Sequence, residues 1–363
     1  MMDGDLVLII VVVTALAFDF TNGFHDTANV VATSISTRAV APRTAVGIAA
    51  ILNFAGAFIS LEVAATVAGD VVREGISPTV IYAGLIGAIS WNLTTWWLGL
   101  PSSSSHALIG GVVGATLAAA GTDAVLGEGI LAKVLIPAIV APIVAFLIGG
   151  LAVMIAYRIV GRLRPGPVTR GFRIGQLLSG GMLALAHGTN DAQKTMGVIL
   201  LALIANGNLP PGSEVPLWVV IAAASAIALG TYTGGWRIIR TMGSRVISMD
   251  AAQGFSAQGA GAAVILASSH YGFPLSTTHV ISGGVMGAGA GKRISAVRWG
   301  VAGSMLVAWL LTLPAAASIG ALAYLITELF GDGALGPIVI SGCLIVGLAG
   351  FLIPRLRDRP AIA

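Results

Sequence analysis

Charge is what this chain most conspicuously lacks. Only 9% of its 363 residues are Asp, Glu, Lys or Arg, where a soluble domain carries about a quarter. With 56% hydrophobic residues and a mean hydropathy of +0.94, that scarcity excludes a water-soluble domain and points to a polytopic helical membrane protein. Segments of alternating polarity about ten residues long are also missing, which excludes a membrane β-barrel. There is one cysteine, Cys343, so neither an internal disulfide nor a thiolate metal cluster can form. No basic stretch precedes the first apolar run, Leu6–Phe20; Asp3 and Asp5 stand there instead. That run is therefore expected to stay as a membrane helix rather than be removed as a signal peptide. Glycine, by contrast, is abundant at 49 residues, which suits close helix packing and interrupted helices in lipid.

The few charges are sorted. Basic residues gather in five places: Arg38 and Arg43; Arg158 to Arg173; Arg237, Arg240 and Arg245; Lys292, Arg293 and Arg298; and Arg355, Arg357 and Arg359. They alternate with acidic regions holding Asp3 and Asp5, Asp70 and Glu74, Asp123 and Glu128, Glu214, and Glu328 and Asp332. By the positive-inside rule the basic set is cytoplasmic, so the N-terminus is expected outside and the C-terminus inside the plasma membrane. A nucleic-acid partner is not needed to explain a net charge of +4; topology explains it. About eleven apolar segments are expected. The first, Leu6–Thr37, would be roughly 48 Å long as one helix against a hydrocarbon core of about 30 Å. It must tilt or break, and Asn22-Gly23 is the expected point of breakage, with Asp19 placed to support it.

Two motifs occur twice. Asn22-Gly23-Phe24-His25-Asp26-Thr27-Ala28-Asn29 returns as His187-Gly188-Thr189-Asn190-Asp191-Ala192-Gln193-Lys194. Pro101-Ser102-Ser103-Ser104-Ser105-His106 returns as Pro274-Leu275-Ser276-Thr277-Thr278-His279, and both copies continue into glycine-rich helices. This is an internal repeat, and an odd number of crossings before Arg158 would insert the second half upside down. The expected organisation is a first inverted repeat over 1–157, a basic cytoplasmic linker over 158–174, a second repeat over 175–326, and an extra C-terminal helix and basic tail over 327–363. Each serine turn is expected at the tip of a re-entrant hairpin, in an all-α fold of broken helices around a central polar site, as in secondary transporters.

The chemistry follows from residue type. A carboxylate at membrane depth costs several kcal/mol unless compensated, so Asp26 and Asp191 are functional candidates before they are structural ones. A hydroxyl run that ends at a helix start supplies Oγ donors, free backbone N–H groups and the positive end of a helix dipole, which together bind an anion. Ser103, Ser104 and Ser105 on one side and Ser276, Thr277 and Thr278 on the other are the expected oxyanion ligands. The plainer reading is helix capping, but one cap needs one hydroxyl. His25 is a candidate proton carrier beside Asp26. Asn29 and Asn190 add hard oxygens to a coupling site for a proton or a small cation, while Gly23, Gly188, His106, His279 and Asn53 support it. Lys194 either neutralises Asp191 or attracts the substrate. His270 reads as a packing residue and Glu62 as an interfacial one.

At these residues the sequence resembles the inorganic phosphate transporter family, over nearly the whole chain. The resemblance implies no enzyme and no bound cofactor, but phosphate symport with a cation through a two-repeat fold. Asp26, Asn29, Asn190 and Asp191 become the coupling residues, the two hydroxyl turns become phosphate ligands, and a homodimer is a family-level expectation. Two departures stand out. His25 replaces an expected Asn, and Gln193 and Lys194 stand where the motif has Ala and Asn. Both make the chain look like the bacterial proton-coupled, low-affinity branch, which carries phosphate largely as a metal–phosphate complex, with Lys194 then paired to Asp191. Sodium held at Asp26 and Asp191 is the alternative coupling ion, and sulfate the alternative cargo. An intramembrane hydrolase built on Ser105, His106 and Asp26 is disfavoured by the duplication, since catalysis needs one nucleophile. A passive channel would not require intramembrane carboxylates.

Overall fold

The computed structural model describes residues 2–73, 75–331 and 333–357; Glu74, Asp332 and Arg359 of the charge pattern lie outside the described residues, as does the end of the expected basic tail. Among the described residues the chain is nearly all helix. In order come α1 (Met2–Ser36), α2 (Pro42–Gly56), α3 (Glu62–Gly69), α4 (Pro78–Leu98), α5 (Ser104–Ala120), α6 (Gly127–Ile130) and α7 (Ile136–Val160). Then follow α8 (Pro165–Ala205), α9 (Leu217–Thr233), α10 (Trp236–Arg240), α11 (Ala251–His270), α12 (Thr277–Lys292), α13 (Trp299–Glu328) and α14 (Leu335–Arg357). The order of elements over 2–160 recurs over 165–328. It does so down to an isolated antiparallel bridge at the base of a helix pair, Val72 to Val125 around α4–α5 and Ile247 to Val297 around α11–α12.

Local chemistry accounts for many of the ends. Proline opens α2, α4 and α8, where its missing N–H costs nothing. Pro165 and Pro167 thus start a helix, and the expected linker over 158–174 shrinks to the short joint between Val160 and Pro165. Ser77 accepts from the Val80 N–H at the start of α4, and Asp250 with Gln253 forms a capping box on α11, satisfying donors that a helix start leaves open. Gly99, at φ +69°, ends α4 in the left-handed conformation.

Among the described residues, three helical stretches can cross a membrane by length and composition: Gly4–Ser36, Gly127–Val160 and Trp299–Glu328. α9 and the continuation of α10 to Arg245 form a fourth candidate, bent by 59°. The eleven expected apolar segments therefore do not each make a spanning helix by these criteria. α5 and α12, at 17 and 16 residues, are roughly 25 Å long, short of a full crossing.

One expectation is overturned. Asn22-Gly23 does not break α1, which runs 35 residues without interruption, and its counterpart α8 runs 41. An unbroken helix satisfies its own backbone groups, the cheapest solution in lipid, and the glycines serve a different purpose. A Cβ on Gly23 would overlap the carbonyl of Ile227 on α9, and one on Gly230 would overlap that of Phe20. In the other half a Cβ on Gly188 would overlap the carbonyl of Asn53 on α2, and one on Gly56 that of Leu185. Each motif helix thus crosses the second helix of the opposite half at backbone contact. Interruption falls instead between α2 and α3 and at Gly234-Gly235 between α9 and α10.

Two apolar clusters form the core. Along α1 the first ends at Phe18 and the second begins at Ala28; along α8 the second ends at Ala186 and the first resumes at Ala192. The two aspartate motifs fill those gaps, so the polar site lies between the clusters.

Candidate functional site

The serine turns meet head to head. Ser103 caps α5 by accepting from the His106 N–H at 3.1 Å, and Ser276 caps α12 by accepting from the His279 N–H at 3.3 Å. Ser105 Oγ donates to the Leu275 carbonyl at 3.0 Å, joining the tip of one hairpin to the tip of the other. The rings of His106 and His279 pack edge to face with centroids 4.8 Å apart, and His279 stacks on Trp309. All six candidate hydroxyl residues are buried, and Ser104 Oγ has no partner. Two helix N-termini aimed at one place sum their open N–H groups and dipoles there, an arrangement that favours an anion. Helix capping accounts for one hydroxyl in each run; of the others, Ser104 Oγ is the one left without a partner.

The aspartate motifs close the site from the sides. Asp26 lies 2.7 Å from His25 Nδ1 and accepts from Thr278 Oγ1 at 3.4 Å. Asp191 accepts from Lys194 Nζ at 2.5 Å and from Thr277 Oγ1 at 3.2 Å, and its Oδ2 is 3.0 Å from His187 Nε2. Each carboxylate of one motif thus touches a threonine of the α12 turn. Asn29 Nδ2 donates to Thr278 Oγ1 at 2.9 Å, and Asn190 Nδ2 donates to Ser269 Oγ at 2.9 Å and to the Phe273 carbonyl at 3.1 Å. The amide oxygens of both asparagines are buried without a donor, so each offers a lone pair inward.

Lys194 ties the constellation together. Only 1% exposed, it donates to Asp191, to Ser105 Oγ at 2.5 Å and to the Leu275 carbonyl at 2.7 Å. It therefore both pairs with Asp191 and reaches both hairpin tips. All three ammonium donors are used, which is how a buried cation is tolerated.

Some residues fall elsewhere. Gln193 turns away from the carboxylates: its Oε1 accepts from the N–H groups of Val63 at 2.9 Å and Ala64 at 3.2 Å, capping α3. Its substitution into the motif is explained by that helix start. Asn53 is a support, donating to Thr231 Oγ1 at 2.8 Å and facing His187 Nδ1 at 3.3 Å. His270 and Glu62 are exposed. Sequence reasoning left His187 without a role, yet one atom each of Asp26, His187 and Asp191 lie within 4.8 Å of one another. The spacing of His187 four residues before Asp191 was the available signal, because it puts both on one helix face. Thr95, which bonds His25 Nε2 at 3.1 Å and accepts from Ser102 at 2.7 Å, had no such signal.

The comparisons with known proteins agree with this geometry. The profile of the phosphate transporter family matches residues 22–320, which span both aspartate motifs and both serine turns. The chain belongs to the phosphate transporter family. Among its relatives, a probable low-affinity inorganic phosphate transporter of Mycobacterium leprae is 54% identical over 326 residues, 89% of this chain and 79% of that protein. One of Bacillus subtilis is 44% identical over 332 residues, 90% of this chain and 99% of that one. A solved structure described as the sodium-dependent phosphate transporter superposes with a TM-score of 0.80 at 24% identity, covering 89% of this chain and 99% of its own. That likeness establishes the fold. As a phosphate transporter family member, the chain is a membrane transporter and not an enzyme, and the intramembrane hydrolase reading falls away.

Proposed function

We propose that the protein imports inorganic phosphate by symport with protons across the plasma membrane, with alternating access between two inverted-topology repeats. The observation that carries the reading is Lys194, whose ammonium joins the Asp191 carboxylate to the Ser105 hydroxyl. A lysine at this point supplies a fixed positive charge where a sodium site would want a neutral oxygen, since sodium is a hard cation held by oxygen ligands. Phosphate then sits between the N-termini of α5 and α12, receiving bonds from Ser104, Ser105, Thr277 and Thr278. The unpartnered Asn29 and Asn190 amide oxygens accept from the hydroxyls of a protonated phosphate, which is what sulfate lacks. Asp26, with His25 beside it, is the carboxylate left to take the coupled proton.

The names of the relatives, low-affinity inorganic phosphate transporters, support the cargo. A second reading rests on the Asp26, His187 and Asp191 atoms within 4.8 Å of one another. Two carboxylates and an imidazole suit a divalent cation arriving with phosphate as a metal–phosphate complex. Sodium coupling, the property named for the structurally similar transporter, is the reading these would displace. The correspondence of elements over 2–160 and 165–328 supports the two repeats, the alternation of basic and acidic loops supports an N-terminus outside, and a homodimer is proposed on family grounds alone.

The test is uptake of labelled phosphate into proteoliposomes under a pH gradient or a sodium gradient, each with and without magnesium. Accumulation driven by the pH gradient alone is expected. Accumulation only with sodium would reject proton coupling and the role given to Lys194.

A further inference from the structure

Seven residues before Asp26 on the same helix, a third carboxylate is buried in the membrane domain. Asp19 is 0% exposed, and neither of its oxygens has a hydrogen-bond partner. Asn22 Oδ1 and Thr195 Oγ1, in buried side chains within its reach, are likewise without partners. The Thr195 hydroxyl and the Asn22 amide are the donors within reach, but both are neutral and neither balances the carboxylate charge. A carboxylate left in this state is among the costliest features a fold can carry, and one added hydrogen removes the deficit. Protonated, Asp19 donates through its new O–H, and Asn22 Oδ1, with no donor of its own, is the acceptor.

The surroundings offer no fixed cation to do this instead. Lys194 on α8 acts on Asp19 electrostatically, but its three donors are already taken by Asp191, Ser105 and Leu275. Asp191 on the same helix adds negative charge. α4 and α9, packed along α1, contain no Asp, Glu, Lys, Arg or His, only Tyr82 and Tyr232 as titratable groups. His106 of α5 and His279 of α12 pack against each other. Arg43 of α2, Arg237 and Arg240 of α10, Arg245 beyond it, His270 of α11 and Lys292 of α12 are exposed.

We propose that Asp19 is a second proton-binding site of the transporter, taking up the symported proton on the outer side of the phosphate site. The inference rests on the proton-coupled reading above. Asn22 lies three residues and Asp26 seven residues along α1, so the three share one face of the helix and form a ladder roughly 10 Å long leading to the phosphate ligands. Balance is simple: a proton from outer water forms an O–H bond on Asp19, the bond breaks when the proton passes on toward Asp26, and inner water receives it. No oxidant or other reactant takes part.

The experiment uses the full chain in proteoliposomes, comparing wild type with Asp19→Asn and Asp19→Glu. Two quantities are read: accumulation driven by a pH gradient, and phosphate–phosphate exchange across a range of symmetric pH. An asparagine at this position keeps the shape but cannot release a proton. Asp19→Asn is expected to lose at least ten-fold in pH-driven accumulation, while its exchange persists and no longer varies with pH; Asp19→Glu should recover accumulation. Wild-type accumulation in Asp19→Asn overturns the assignment. So does equal loss of exchange and accumulation in both variants when each is purified as folded protein, since Asp19 would then be a packing group. A wild type that ignores the pH gradient defeats the proton-coupled reading itself, and this inference with it.

Discussion

At the scale of single residues, the hydroxyl runs separate into caps and proposed phosphate ligands. Ser103 accepts a backbone N–H of its own helix, so Ser103→Ala should cost about 1 kcal/mol of stability, read as a lowered Tm of the purified protein. Ser104, buried with its hydroxyl unengaged, is free for phosphate. Ser104→Ala should leave Tm nearly unchanged and raise the phosphate KM by roughly ten-fold or more, the value of a bond worth about 1.5–3 kcal/mol to a charged ligand. Equal effects of the two substitutions on KM and Tm would reject the division. Lys194→Met should be more severe, because it strips Asp191 of its cation and leaves Ser105 Oγ and Leu275 without their donor. Breaking a buried pair costs on the order of 3–5 kcal/mol, so near-complete loss of uptake is expected, and an active Lys194→Met would remove lysine from the site. The sequence announced the aspartates and the hydroxyls by repetition. It held no hint that Gln193 caps α3, since that contact links residues from opposite halves.

At the scale of elements, helix crossings are set by glycine. Gly23 and Gly188 each sit where a methyl would overlap a carbonyl of a neighbouring helix, and Gly23→Ala or Gly188→Ala must push α1 from α9 or α8 from α2. Overpacking of this kind costs typically about 1–3 kcal/mol, and each variant should show a lower Tm together with impaired uptake, because the displaced helices carry Asp26 and Asp191. A second device ties three helices together at one end. Asp250 caps α11, accepts from Tyr157 Oη of α7 at 2.6 Å and pairs with Lys292 of α12 at 2.9 Å. Burial pushes its carboxyl up, but the Tyr157 hydroxyl, the Gln253 N–H and Lys292 outweigh it and hold the group below its ordinary value. A depressed carboxyl stabilises the fold above its unfolded value, about 3.9, and that contribution is lost as the pH falls through the lower, folded one. Asp250→Asn should therefore lower Tm near neutral pH, with the gap to wild type closing below about pH 4. A gap constant with pH would mean the side chain acts through shape alone. The expectation of a break at Asn22-Gly23 failed for an element-scale reason. A glycine next to a polar residue reads the same in sequence whether it ends a helix or admits another one.

For the whole molecule, the charge pattern makes a directional prediction. With Cys343 replaced by Ser, Gly166→Cys should react with a membrane-impermeant maleimide only from the cytoplasmic side, and Ser213→Cys only from outside. The reverse would invert the topology. The sequence by itself determined the class and the components: scarcity of charge required a membrane protein, alternating charged loops gave an expectation for its sides, and two duplicated motifs supplied the candidate site residues. These are properties of composition and order, which survive without coordinates. Only the tertiary structure decided which motif faces which. Thr277 and Thr278 lie in the second half of the chain, yet they bond Asp191 and Asp26 respectively, and Lys194 reaches Ser105 of the first. Such pairings join residues far apart in sequence through helix crossings whose angles and depths depend on glycines meeting backbone. The same holds for Asp19, whose neighbours in sequence are apolar apart from Thr21 and Asn22, and whose burial beside the neutral Thr195 hydroxyl emerges only once α8 has closed against α1.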